Sequence, residues 1–114
     1  MGLDNRIATR HVFESRIQVS VRRGADTVTA QGWTRDLSDS GLGAFVAENL
    51  EIGEVISLQI DVGSSEKETI AARVARKLGT QYGFQFTALS PQQRLSIHAL
   101  LKGKSILPNE PTRK

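Results

Sequence analysis

Strict two-residue alternation constrains this chain more than any other feature. Over residues 16–22, Ile17, Val19 and Val21 fall on one side, and Gln18, Ser20 and Arg22 on the other. Successive side chains of an extended strand leave on opposite faces, so the pattern predicts a strand with one face in a core. It returns over residues 55–62, with Ile56, Leu58, Ile60 and Val62 inward, and over 69–76, with Ile70, Ala72 and Val74 inward. Residues 81–86 place Tyr82, Phe84 and Phe86 on a single face. A threonine-rich run, 27–37, and a shorter one, 42–46, complete six predicted strands. Glycine-bearing turns separate them at 24–26, 48–54, 63–67 and 78–80. Gly32 interrupts the second strand and predicts a bulge or a close contact there. Trp33, the lone tryptophan, is read as core. Arg22 and Arg23 are read as a solvated strand end.

The period changes once. Ser90-Pro91-Gln92-Gln93 combines a capping serine, proline at the first helical position and glutamine three residues after the cap. Leu95, Ile97, Ala99, Leu100, Leu101 and Lys102 then fit a helix over 91–102, with Gly103 as its stop. Six short strands and one helix in 114 residues imply closure, because a closed sheet has no exposed edges. The expected fold is all-β: a six-stranded antiparallel barrel with one C-terminal α-helix. Residues 1–11 are polar and without period and are expected to form a mobile, arginine-bearing arm. The barrel and helix take 12–103, and 104–114, with Pro108 and Pro111, are expected to be a disordered tail.

The chemistry of an enzyme is missing from this pattern. There is no cysteine, and His11 and His98 lack metal-ligand spacing; His98 is expected on the helix as a surface or half-buried residue. Ser38 and Ser40 have no nearby histidine or lysine base. The expectation is a non-enzyme without metal or cofactor. No apolar run is long enough for a leader or a membrane span, and a cytoplasmic domain is expected. The net charge of +3 favours an anionic partner. Binding single-stranded nucleic acid needs a basic groove and stacking aromatics, and aromatics at 5% leave few to spare.

The stretch 34–46 holds Asp36, Ser38 and Gly41 in the spacing Asp-x-Ser-x-x-Gly. In extended chain Asp36 and Ser38 project to the same side. Gly41 and Gly43 supply either positive φ or close backbone approach. Taken alone, the stretch reads as a hairpin turn. Upstream, Arg6 and Arg10 stand in the spacing Arg-x-x-x-Arg, just before the first strand.

This ordered pair of motifs on an all-β pattern resembles the PilZ domain, the bacterial receptor module for cyclic di-GMP. Phe13, Ile17 and Val19 have the apolar spacing of that family's first strand. Gln31-Gly32-Trp33-Thr34 resembles its second, and Tyr82-Gly83-Phe84-Gln85-Phe86 before a Ser-Pro helix start resembles its end. The resemblance spans about residues 5–102. One departure is Asn5, where many members carry a second arginine beside the first. The resemblance implies a cyclic di-GMP site built from Arg6, Arg10, Asp36, Ser38 and Gly41. Arginines can pair with guanine edges and phosphates, Asp36 can accept from guanine N1–H, and Ser38 with the amides near Gly41 can donate to phosphate. It also implies a receptor with a downstream protein partner, and the polar, period-free composition of residues 1–11 adds the expectation that it signals through ligand-driven ordering of that arm. The alternative is an adaptor of the same fold that does not bind the nucleotide.

Overall fold

The computed structural model of the chain describes residues 10–60 and 68–102. Seven strands, β1 (His11–Val12), β2 (Arg16–Arg23), β3 (Asp26–Leu37), β4 (Gly41–Val46), β5 (Val55–Ile60), β6 (Glu68–Leu78) and β7 (Gln81–Ala88), precede α1 (Pro91–Leu101). The sheet runs β3-β2-β5-β6-β7-β4, and β4 pairs back onto β3. The expected six-stranded antiparallel barrel is therefore closed. β1 is an extra strand, pairing His11 with Leu37 and Val12 with Asp36. His11 was expected to end the arm, but a two-residue strand carries no period to read. Residues 1–9, including Arg6, the loop 61–67 with Val62, and the tail from 103 lie outside the described residues.

Alternation places the core. Ile17, Val19, Val21, Ile56, Leu58, Ile60, Ile70, Ala72 and Val74 are all buried. Tyr82 and Phe84 are buried too, and half-buried Phe86 packs against them. Leu50, in the loop 47–54, is fully buried. Its N–H donates to the Tyr82 hydroxyl at 3.0 Å, which donates to the Glu48 carbonyl at 2.8 Å. Arg23 fastens the same loop: its guanidinium pairs with Glu54 at 2.7 Å and donates to the Asn49 carbonyl at 2.7 Å. This strand end is thus anchored at Arg23 and solvated only at Arg22.

The helix begins as expected. Ser90 Oγ accepts from the Gln93 amide at 3.0 Å, and Gln93 Oε1 accepts from the Ser90 amide at 3.1 Å. Ile97 is buried in the barrel core. Gln93 Nε2 also donates to the Thr69 carbonyl at 2.8 Å, tying the first turn to β6.

Trp33 overturns one expectation. It is 46% exposed, with Arg16 and Phe45 as cross-strand partners. The inward series on β3 is Ala30, Gly32 and Thr34, so Trp33 is out of phase with the core. Those inward residues are small or polar, which hid the phase. Thr34 is tolerated inside because its hydroxyl donates to the Phe13 carbonyl at 2.7 Å and accepts from the Ser15 amide at 2.8 Å. Gly32 marks a close contact and not a bulge: a Cβ there would lie 2.8 Å from the Phe45 carbonyl oxygen.

Candidate functional site

The alternation of β3 slips just past Thr34. Thr34 pairs with Ala44, and the next pair on β4 is Asp36 with Gly43, leaving Arg35 as an extra residue. Without that bulge Asp36 would follow Ala30, Gly32 and Thr34 into the core, where a lone carboxylate is strongly disfavoured. With it, Leu37 takes the core position at 1% exposure and Asp36 turns to the outer face.

β6 carries the matching device. Val74 pairs with Phe84 and Arg76 with Gly83, so Ala75 is the extra residue. Val74 stays inside, and Arg76 turns outward. Because Gly43 also pairs with Gly83, four strands line up one continuous outer row: Asp36, Gly43, Gly83, Arg76. The central two positions have no side chain. A Cβ on Gly43 would lie 2.9 Å from Asp36 Oδ2, and one on Gly83 would lie 3.0 Å from Arg76 Nε. The acid and the base therefore lean over the glycines from opposite ends of a backbone-floored trough.

Two adjoining cavities of about 190 and 490 Å³ open on this row and share Arg10, Asp36, Arg76 and Gly83. Arg35 and Lys77 add to the lining of the larger. Asp36 is thus the one carboxylate among four cations, a field suited to an anion with one hydrogen-bond-donating edge. Arg10 Nε lies 3.9 Å from Asp36 Oδ1, a loose ion pair with the arginine 42% exposed and the aspartate 11%.

Ser38 organises the turn between β3 and β4. Its amide donates to the Gly41 carbonyl at 2.8 Å, and its Oγ accepts from the amides of Ser40 and Gly41, each at 3.2 Å. The amides expected to face an anion are engaged by this hydroxyl. Gly41 has no positive φ; among the described residues the glycines that do are Gly24, Gly53 and Gly79. Gly41 is required by close approach, since a Cβ would collide with the Phe84 carbonyl oxygen.

Four residues anticipated from sequence, Arg10, Asp36, Ser38 and Gly41, therefore line one cavity. Arg6 lies outside the described residues. Sequence reasoning missed Arg76 and Gly83. Their signal was faint: a glycine at the outward position of β7, and a broken alternation at Val74-Ala75-Arg76. Among the described residues, no group of three or more His, Asp or Glu could hold a metal ion. No helix among them is long and apolar enough to cross a membrane.

The family model of the PilZ domain matches residues 4–103. The chain is a PilZ domain. Solved PilZ domains share its fold at low identity. That of CeSA from a cellulose-synthesizing bacterium superposes with a TM-score of 0.62 at 22% identity, over 82% of this chain and 95% of that one. The PilZ domain of YcgR from Escherichia coli, solved with cyclic di-GMP, gives a TM-score of 0.66 at 18% identity, over 87% and 90%. The Bacillus subtilis inhibitor of motility, MotI/DgrA, gives 0.62 at 14% identity over 88% of this chain, which spans 49% of that protein. No curated protein matches the chain. PilZ domains are receptor and adaptor modules, and in this one Arg10, Asp36, Ser38 and Gly41 line a cavity beside the glycine trough.

Proposed function

We propose that this PilZ domain is a cyclic di-GMP receptor whose ligand lies across the trough between Asp36 and Arg76. The observation that carries the reading is the row itself: a flat, side-chain-free floor with one carboxylate and a surrounding set of cations. A guanine offers N1–H and an exocyclic amine to Asp36 and its O6/N7 edge to an arginine. Two phosphates suit Arg10, Arg35, Arg76 and Lys77. The ligand-bound YcgR domain of the same fold supports this choice of nucleotide.

In this proposal Arg6 and Arg10 close over the ligand as the chain before β1, residues 1–10, becomes ordered. Fixing the arm costs on the order of 1–2 kcal/mol per backbone residue, so its contacts to guanine and phosphate must exceed that cost. Binding and arm position are then linked, and a protein partner that recognises the closed arm gains affinity when nucleotide is present. Calorimetry with cyclic di-GMP, using GTP and cyclic GMP as controls, tests the ligand. Arg6→Ala and Arg10→Ala should each weaken binding by about tenfold or more, the loss of roughly 1–3 kcal/mol of bidentate pairing. No heat with cyclic di-GMP would overturn the receptor reading. Amide exchange over residues 5–11, with and without nucleotide, tests the arm; unchanged protection at saturation would remove the switch.

One observation favours the adaptor alternative. The Ser40 and Gly41 amides already bond Ser38, and Asp36 already pairs with Arg10. A site satisfied in this way can hold its shape without a ligand.

A further inference from the structure

The outer face of β3 and β4 carries a second feature a few residues from the trough. Trp33 and Phe45 are cross-strand partners, 46% and 42% exposed, and Arg16 pairs with Trp33 from β2. With Gln31, Val46 and Ala47 they line a mostly apolar groove of about 440 Å³. Arg16 is the one charged residue in its lining. Arg35 adds a second cation, its guanidinium 5.7 Å from the centre of the Phe45 ring.

This groove opens where β3 and β4 part. Their last pair is Gly32 with Val46, followed by a bond from the Ala47 amide to the Gln31 carbonyl at 3.2 Å. Over residues 26–30, β3 pairs with β2 alone among the described residues. Backbone groups of successive residues point to alternate sides of a strand. The Gln31 carbonyl points toward β4, so the N–H and C=O of Thr29 and Thr27 point to the same, open side. Among the described residues, an unpaired sheet edge therefore runs into the mouth of an aromatic groove.

We infer that this edge and groove together are a docking site for an extended, acidic segment of a partner protein. The segment adds a strand beside residues 27–29 and sets alternate side chains against Trp33 and Phe45, with its carboxylates on Arg16 and Arg35. Charge complementarity selects the acid, since no carboxylate lines the groove. The open edge selects a peptide over a nucleic acid: it presents main-chain donors and acceptors at strand spacing, whereas a single-stranded nucleic acid needs a longer basic track. Arg16, Trp33 and the open edge lie outside the proposed nucleotide site, and only Arg35 is shared with it, so the titrations below are made without nucleotide.

The test is selection of a random dodecapeptide display library on the full chain, followed by anisotropy titration of the enriched peptides made synthetically. Enriched sequences should alternate acidic with apolar residues. Their affinity should fall at least tenfold with Trp33→Ala and with Arg16→Glu, both exposed positions. Thr29→Pro removes the open-side N–H and spares the β2 pairing, so it should also abolish binding. Amide exchange should slow at Thr27 and Thr29 when peptide is bound. Failure to enrich any sequence would overturn the inference, as would enriched peptides without acids or affinity indifferent to Trp33→Ala. A labelled oligothymidine that binds this face more tightly than the peptides, or a dimer in sedimentation that buries Trp33, would assign the groove to another occupant. Circular dichroism of each variant confirms that the fold is kept, and Trp33→Ala decides the matter should Thr29→Pro not fold.

Discussion

One half of the barrel is regular and the other is not. The ladders joining β2 to β3, β2 to β5 and β5 to β6 run without a register shift, and the inward residues of β2 and β5 are all branched aliphatics. The ladders joining β3 to β4 and β6 to β7 are shifted, and glycine faces glycine where β4 meets β7. Uniform alternation can send a side chain to only two places, core or water. Setting an acid and a base over a sheltered trough requires a third place, and a slip in the strand creates it. Both halves bury core residues, but only the slipped half sets Asp36 and Arg76 over a glycine floor.

Four substitutions test that division, beginning with the largest effect. Leu58→Ala, fully buried in the regular half, should cost about 2–5 kcal/mol of unfolding free energy in urea. Nucleotide affinity of the folded fraction should hardly change; a matching loss of affinity would mean that the halves are not separable. Arg76→Ala acts the other way. It should weaken cyclic di-GMP by roughly 1.5–3 kcal/mol in calorimetry, the range for a bond to a charged group, with an almost unchanged melting temperature. Gly43→Ala places a methyl where the Asp36 carboxylate now rests and should reduce affinity by about tenfold, or ~1.4 kcal/mol. If Gly43→Ala binds as tightly as the parent chain, the empty floor is not what the ligand uses. Ser38→Ala leaves two turn amides to water and should lower stability by about 0.5–1.5 kcal/mol in thermal melts. A larger drop would make the turn part of the regular framework.

The same division separates what the sequence reveals from what it conceals. Ile17, Val19 and Val21, or Ile56, Leu58 and Ile60, declare their strands because each branched residue repeats every second position. Ser90, Pro91 and Gln93 declare the helix because capping is local chemistry. Trp33 misleads because the residues marking the core phase of its strand are Ala30, Gly32 and Thr34, which carry little hydrophobic signal. Asp36, Ser38 and Gly41 were legible as a motif, and Arg10 as half of another. Arg76 was not, since its role rests on Ala75 being an uncounted residue and on Gly43 and Gly83 meeting across strands far apart in sequence. Such meetings are set by register, which no local pattern of the chain prints.

The bulge at Arg35 gives that position two opposite tolerances. A bulge residue adds to the length of the chain and not to the count of paired rungs. Replacing Arg35 leaves every downstream residue on its present face. Removing it renumbers the strand: Asp36 would point inward and Leu37 outward, with Ser38 and the turn displaced behind them. In a library that mixes substitutions with single-residue deletions and is scored for folding alone, position 35 should admit many replacements and no loss, and position 75 on β6 should behave alike. These two sites would show that the barrel is sensitive to the counting of its residues where it is indifferent to their kind.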